Sequence, residues 1–413
     1  MKILHNTKCR ICRSEKLEKF LDLGKVAFVS NFLKREDFEK PEHIPDLQIY
    51  VCTNCWLAQV IDVPDPEDLF LHDYPYFTSF ISTMITHFHN LAGNIITRFN
   101  LTPQDLVVDI GSNDGVFLGG FKRFSILVLG VDPAPVAASI ANSRGIETLN
   151  VFFTEETAKK IRSERGPAKV IISTNTFAHI DKLDDFISGI KILLDDEGAF
   201  IFENPYLVDT LEYTEFDTMY YDHVSYYAIQ PLRVLFDRFQ MEIFDVKRTP
   251  VHGGSILVFV KKAGAKISVT DAAQKLIEFE RASGYNAPRV YKEFAARVEL
   301  FRENLTGLLG KLKNEGNRIV GYGASARGNV LLSYCHIGTE TLDYMVDDST
   351  FKQGRYTPGT HIPIVAPEKI LKDMPDYVLL VAWNFADEIM DRLEDYKKRG
   401  GKYIIPLPAI KIV

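Results

Sequence analysis

Leu106-Val107-Val108-Asp109-Ile110-Gly111-Ser112-Asn113-Asp114-Gly115 is the stretch on which the fold turns. A short apolar run enters a polar turn bounded by glycines, and helix-forming sequence follows. That order predicts a strand, a tight turn and a helix start. Glycine at the turn lets backbone approach a ligand closely, because it lacks a Cβ and reaches positive φ at little cost. The next apolar run, Ile126-Leu127-Val128-Leu129-Gly130-Val131, ends in Asp132. An acid roughly 20 residues beyond such a turn commonly accepts hydrogen bonds from ribose hydroxyls. The pair reads as an adenosine-type nucleotide site at the carboxyl ends of parallel strands.

The nucleotide is narrowed by what the turn lacks. There is no G-x-G-x-x-G and no Walker lysine. The D-x-G-x-x-x-G form suits S-adenosylmethionine (SAM), which has no phosphate to cradle. SAM needs a close turn beside its methionine part and an acid for its ribose. Asp109, Gly111, Asn113, Asp114, Gly115 and Asp132 are therefore the expected donor residues. A third βα unit, Ile171-Ile172-Ser173-Thr174-Asn175-Thr176-Phe177-Ala178-His179-Ile180, adds Asn175 to the donor side. It places His179 towards an acceptor.

Working outward, Val170-Ile171-Ile172, Ala199-Phe200-Ile201-Phe202 and Ser255-Ile256-Leu257-Val258-Phe259-Val260 are further strand candidates between helical stretches. Alternating strands and helices predict an α/β fold with a parallel sheet. Residues from about 270 to 315 read as mostly helical, with Leu305, Leu308, Leu309 and Leu312 at helical spacing. A second α/β pattern then runs through Arg318–Tyr322, Tyr344–Asp347, Tyr377–Val381 and Tyr403–Ile405. The expected division is a lobe over 1–72, a Rossmann-like SAM methyltransferase domain over 73–265 and a C-terminal Rossmann-like domain over 266–413. In the last, Val320-Gly321-Tyr322-Gly323-Ala324-Ser325-Ala326-Arg327-Gly328 carries strand, glycine turn and helix start. Such a turn makes an anion site for pyrophosphate. Gly323, Ser325 and Arg327 are the expected substrate contacts there, with Arg327 pairing phosphate oxygens.

The first lobe holds Cys9-Arg10-Ile11-Cys12 and Cys52-Thr53-Asn54-Cys55. Each C-x-x-C turn aims two sulfurs at one point, and four thiolates suit tetrahedral Zn²⁺. With no position left for water or substrate, the metal is expected to be structural. Cys335 stands alone and reads as a small buried hydrophobe.

Composition bounds the rest. The 413 residues are 46% hydrophobic, which excludes disorder as the default. Lys plus Arg number 48 against 55 for Asp plus Glu, a net −7, which opposes phosphate-driven nucleic-acid binding. Acidic residues between the cysteine pairs cancel the lysines there. No apolar run approaches the ~18 residues of a membrane helix, and the N-terminus lacks a signal-peptide core. A cytoplasmic enzyme with a small-molecule substrate is expected.

Proton-handling groups cluster in Phe216-Asp217-Thr218-Met219-Tyr220-Tyr221-Asp222-His223-Val224-Ser225-Tyr226-Tyr227. A histidine beside an acid can be held near a working pKa, and tyrosine hydroxyls can hydrogen-bond a developing enolate. His223, Asp222, Tyr220 and His179 are the expected catalytic residues. Tyr74 and Tyr76, in Asp73-Tyr74-Pro75-Tyr76, lie on a loop able to lean over the same pocket; Tyr76 is the expected substrate contact. Val251-His252-Gly253-Gly254-Ser255 is a further histidine that a hairpin explains equally well.

These motifs together resemble the three-domain SAM-dependent sugar C-methyltransferases, a family that includes the C-3′-methyltransferase of tetronitrose biosynthesis. CRIC, CTNC, DYPYFTS, DIGSNDG, STNTFAHI, FENPYL, FDTMYYDHVSYY, PVHGGS, VGYGASARGN and VAWNFADEIM carry the resemblance over nearly the whole chain. It implies a zinc-binding lobe, a SAM domain, and a nucleotide-linked keto-deoxysugar held between the last two domains. It implies Tyr74 and His179 in the active site, Tyr220 on the sugar and His223 as base. The family's Tyr-x-Glu-His reads Tyr220-Tyr221-Asp222-His223 here, which moves one carboxylate back by about one methylene. An O- or N-methyltransferase keeps the donor site without the enolate. A nicotinamide oxidoreductase using Gly321 and Gly323 lacks a third glycine.

Overall fold

The computed structural model describes residues 2–71 and 77–413. The middle of the chain builds a seven-stranded sheet. Its spatial order is Thr148–Leu149, Leu127–Val131, Leu106–Ile110, Ala168–Thr174, Leu194–Pro205, Ser255–Lys262 and Met241–Thr249. The first five run parallel, and Ser255–Lys262 is antiparallel to both its neighbours. Leu106–Ile110 is buried along its whole length, which is why it reads as a nearly unbroken apolar run. Leu106, Val108 and Ile110 join one apolar cluster and Val107 the other, as the two-residue period of a strand requires. The chain steps outward from Leu106–Ile110 to one side, then returns to the other side at Ala168–Thr174. Loops leaving the two strands at that reversal part, and they open a crevice at the carboxyl ends.

The strands expected from the sequence are present, most of them slightly shifted. Thr148–Leu149 and Met241–Thr249 add to them. Each is completed by pairing rather than by its own pattern, as is usual for strands this short or this close to an edge.

The C-terminal sheet has six strands in the order Ile364–Val365, Met345–Val346, Ile319–Tyr322, Tyr377–Leu380, Lys402–Ile405 and Lys411–Ile412. All pairs but the last are parallel. Helices Ala272–Ala282 and Pro288–Asn314 link the two sheets. Along the longer helix Tyr291, Phe294, Val298, Phe301, Leu305, Leu309 and Leu312 are buried at steps of three and four. Its Tyr291 meets Phe20 edge-on at 5.0 Å between centroids, so the helix also supports the N-terminal lobe.

That lobe is an antiparallel sheet of Leu17–Lys25, Asp46–Cys52 and Ala58–Val60, and its fourth strand is Ser225–Tyr226. Ser225 pairs Gln59 and Tyr226 pairs Ala58. The segment just beyond His223 is therefore woven into the cysteine lobe. On the other side, Leu33 and Tyr356 exchange backbone hydrogen bonds of 3.0 and 2.8 Å, tying the lobe to the C-terminal unit. One apolar cluster includes residues of all three units. No described helix is long and apolar enough to cross a membrane.

Candidate active site

A cavity of about 890 Å³ opens at the strand reversal and takes its walls from all three units. Binding sites for small ligands span about 300–1,000 Å³, so this one is at the large end. On one side lie Asp109, Gly111, Asn113, Asp132 and Asn175. Gly111 has φ +75°, and a Cβ there would run into the Thr176 side chain. Its N–H donates to the Val131 carbonyl at 2.8 Å. The Asp132 carboxylate accepts from the backbone N–H of Asn113 and of Ala134, each at 2.8 Å. A carboxylate has roughly four lone-pair positions, so each oxygen keeps capacity for a ribose hydroxyl. Burial pushes Asp132 up to about 6 against those two amides. Asp109 is fully buried; burial first, and the Asp132 charge second, push it up to about 8. Its Oδ1 has no hydrogen-bond partner among the described residues. A cradle without a side chain, an orphaned carboxyl oxygen and an acid with spare lone pairs fit SAM.

Two donor expectations need correction. Asp114 and Gly115 do not line this cavity. The Asp114 carboxylate is fully buried and turns away from the cavity, accepting from the Ser79 N–H at 3.2 Å and pairing Arg144 at 3.0 Å. Gly115 sits at φ +79° as the N-cap of helix Val116–Lys122, pressed against Ile146 and Ala141. Both shape the turn from behind. Asn113 does more than expected: its side-chain oxygen also accepts from the Thr78 N–H at 3.0 Å.

Facing the donor side are His179, Tyr220, Asp222 and His223. The His223 Nδ1 is 3.0 Å from the Thr218 carbonyl, which can only accept. The proton is therefore on Nδ1, and Nε2 is a lone pair. The Tyr220 hydroxyl is 2.9 Å from that Nε2 and donates to it. The two rings stack at 4.2 Å. The same reasoning holds at His179, whose Nδ1 is 2.6 Å from the Asp222 carbonyl oxygen. His179 meets His223 at 4.8 Å, edge to face. Burial pushes His179 down to about 4. Burial, and then the His179 neighbour, hold His223 well below the ordinary histidine value. Both imidazoles are neutral at pH 7.

The expected Asp222–His223 partnership is not what the fold builds. The Asp222 carboxylate accepts from the Ser30 hydroxyl at 3.3 Å, and its Oδ1 has no partner among the described residues. Burial raises it to about 6. Ser30 comes from the cysteine lobe, and sequence reasoning did not find it, because it is 192 residues from Asp222. Tyr74 and Tyr76 lie outside the described residues.

The C-terminal wall holds Gly323, Ser325 and Arg327. Gly323, at φ +91°, packs so closely on Ala382 that a Cβ would clash. The Ser325 hydroxyl caps helix Ala326–Tyr334 by accepting from the Gly328 N–H at 3.0 Å. Arg327 is corrected: it is no free phosphate clamp. Its guanidinium forks onto Asp217 at 3.1 and 2.7 Å, reaches Glu215 at 3.2 Å and donates to the His252 carbonyl at 2.8 Å. It also lies 4.5 Å above the Trp383 ring, whose Nε1–H donates to Asp217 at 2.7 Å. Two carboxylates neutralise the cation before any ligand arrives. Lys352 and Arg392 line the same cavity and were not foreseen; they pair Asp347 at 3.1 Å and Asp348 at 2.9 Å.

Away from the cavity, the Sγ atoms of Cys9, Cys12, Cys52 and Cys55 lie within 4.8 Å of one another. Cys9 to Cys55 and Cys12 to Cys52 are each 3.5 Å, too long for a disulfide. Both turns have one design. Arg13 N–H donates to the Cys9 carbonyl and Trp56 N–H to the Cys52 carbonyl; Arg13 and Trp56 adopt φ +62° and +68°. Four convergent soft ligands fit tetrahedral Zn²⁺ and leave no open coordination position. Cys335 is buried, as expected.

Comparison with known proteins gives three matches along the chain. Family models match a putative zinc binding domain over residues 9–70, a methyltransferase domain over 85–246 and a C-methyltransferase C-terminal domain over 250–408. The C-methyltransferase NovU of Streptomyces niveus is 36% identical over 406 residues, 98% of this chain and 96% of that protein. Among solved structures, a SAM-dependent methyltransferase from Anabaena variabilis is 18% identical, covering 41% of this chain and 83% of its own, with a TM-score of 0.34. One from Clostridium acetobutylicum is 13% identical, covering 44% and 92%, also at 0.34.

Proposed function

The chain belongs to the C-methyltransferase family that includes NovU, and on that premise we propose that it methylates the carbon beside the ketone of a nucleotide-linked keto-deoxysugar. That it is a SAM-dependent C-methyltransferase follows from the family; the acceptor and the mechanism are our reading. Supporting a nucleotide-sugar, the Gly323 turn of a second Rossmann-like sheet opens on the same cavity as the Gly111 turn.

The observation that carries the mechanism is the Tyr220–His223 pair at 2.9 Å, with the His223 proton fixed on Nδ1. A ketone's α-proton must leave before its carbon can attack. Tyr220 Oη takes that proton and passes its own to His223 Nε2, so the substrate C–H bond and the original Tyr220 O–H bond break while a new O–H bond and an N–H bond form. The new imidazolium is expensive in a site that holds His223 so far below its ordinary value. It becomes favourable when negative charge grows on the acceptor oxygen opposite. The reprotonated Tyr220 hydroxyl then donates to the enolate, a use of preorganised donors that lowers the barrier. His179, neutral with its proton committed to the Asp222 carbonyl, accepts an acceptor hydroxyl and does not hold the enolate. The orphaned Asp222 Oδ1 takes a second hydroxyl. Asp132 would hold the donor ribose, and Gly111 and Asn113 would border its methionine part. Bound SAM supplies an electrophilic methyl on a sulfonium that leaves as a neutral thioether.

The test is acceptor α-proton exchange in D₂O with and without SAM. Wild-type protein is expected to wash deuterium into the acceptor without methyl transfer, and Tyr220→Phe to abolish the exchange. Full exchange by Tyr220→Phe overturns the relay.

A further inference from the structure

We infer that Arg10 is a positioning residue: from inside the first cysteine knuckle it fixes the two loops that carry His179 and His223. The inference rests on the reading that these histidines work on the acceptor, and it adds a role for the cysteine lobe in that chemistry.

Arg10 lies between Cys9 and Cys12, yet only 2% of it is exposed. Its side chain leaves the lobe. Nε donates to Asp181 Oδ1 at 2.7 Å, and one terminal nitrogen donates to the Val224 carbonyl at 3.1 Å. Asp181 is two residues beyond His179, and Val224 follows His223. The same nitrogen reaches Gln59 Oε1 at 3.1 Å, and Gln59 also accepts from the Arg10 backbone at 3.2 Å. One guanidinium thus holds both loops and the lobe strand that pairs with Ser225–Tyr226. The loops are also joined directly, Val224 N–H to the Ala178 carbonyl at 2.9 Å, so moving either moves both imidazoles.

Stability alone is a poor explanation for this residue. A buried ion pair often contributes little net stability against apolar residues of the same volume, and geometric specificity is its better-attested use. The planar fork reaches three acceptors that diverge; a lysine ammonium, a point charge on a flexible stem, spans them less well. The backbone of Arg10 is pinned by the knuckle, so the metal centre becomes the fixed point from which the imidazoles are set.

Arg10→Lys keeps the charge and loses the fork. Three readouts on this variant, with zinc content and SAM affinity measured alongside, decide the matter. Zinc per chain and SAM affinity are expected to stay within twofold of wild type. The kcat for methyl transfer is expected to fall by about 10², the loss typical of displacing a catalytic group by about 1 Å. In ¹⁵N-histidine spectra the His179 and His223 Nδ1–H signals are expected to shift or broaden. Should Arg10→Lys lose zinc or fold, Asp181→Ala removes the acceptor of one arm and leaves the knuckle intact; it is expected to move the His179 signal more than the His223 signal. Unmoved imidazole signals with unchanged kcat overturn the inference. The spectra stand apart from the proposed reaction: full activity in His223→Gln overturns the mechanism, whereas the imidazole signals still decide the role of Arg10.

Discussion

At His223 the chain does the opposite of what a histidine beside an acid suggests. Instead of raising its basicity with Asp222, the fold buries it among His179, His252 and Arg327 and keeps it neutral. A weak base of this kind works only when proton transfer and charge development on the acceptor are coupled. His223→Gln is therefore expected to lower kcat by about 10²–10⁴, the usual worth of a general base, with SAM affinity measured by calorimetry unchanged. Histidines around the cavity also set acid stability. His252 titrates near 6.5 when unfolded and is pushed down to about 4 by burial in the fold. The unfolded chain binds the extra proton in between, so stability is complete above about 6.5 and is lost as pH falls towards 4. His252→Gln is expected to flatten the fall of Tm across that window; an unchanged slope rejects the assignment. Asp109 acts in the opposite sense. Raised from 3.8 to about 8 by burial, it makes the folded chain hold an extra proton between those values, so its contribution to stability is complete below about 3.8 and is lost as pH rises towards 8.

Among the elements, the Gly111 turn and the two cysteine knuckles were legible in the sequence because each is local. Strand, glycine, and acid at the next strand end are written within about two dozen residues, and C-x-x-C within four. Gly111→Ala adds a Cβ at φ +75° against Thr176. It is expected to cost at least about 1–2 kcal/mol from the left-handed backbone alone and to abolish SAM binding, read by denaturation and calorimetry. Cys52→Ser is expected to lose the metal and lower Tm. Much less legible was what each polar side chain of the turn faces. Asp114 sits in the motif beside Asn113, but Arg144 and the Ser79 amide hold it on the far side of the turn from the cavity. Only the folded positions of those partners decide it. Ser225–Tyr226 gave no signal as a strand of the cysteine lobe, since two residues carry no period and the partner is Ala58–Val60.

Over the whole molecule, the cavity is a junction of three units, and its long-range ties were invisible to local pattern. Glycine turn, serine and arginine match a phosphate ligand at Gly323, Ser325 and Arg327. Asp217 and Glu215, more than a hundred residues earlier, claim it first. The clamp joins the middle sheet to the C-terminal one. Arg327→Met leaves two buried carboxylates unpaired and is expected to cost about 3–5 kcal/mol in urea denaturation. A variant of wild-type stability with raised acceptor KM would restore the phosphate role. The central claim is transfer of a methyl to carbon through an enolate formed at Tyr220 and His223. It is tested most directly by incubating the zinc-loaded protein with ¹³C-methyl SAM and a nucleotide-linked keto-deoxysugar, and reading the product by NMR. The account predicts a ¹³C-methyl bonded to the carbon beside the ketone, formed by wild type and not by His223→Gln. A label on oxygen or nitrogen contradicts it.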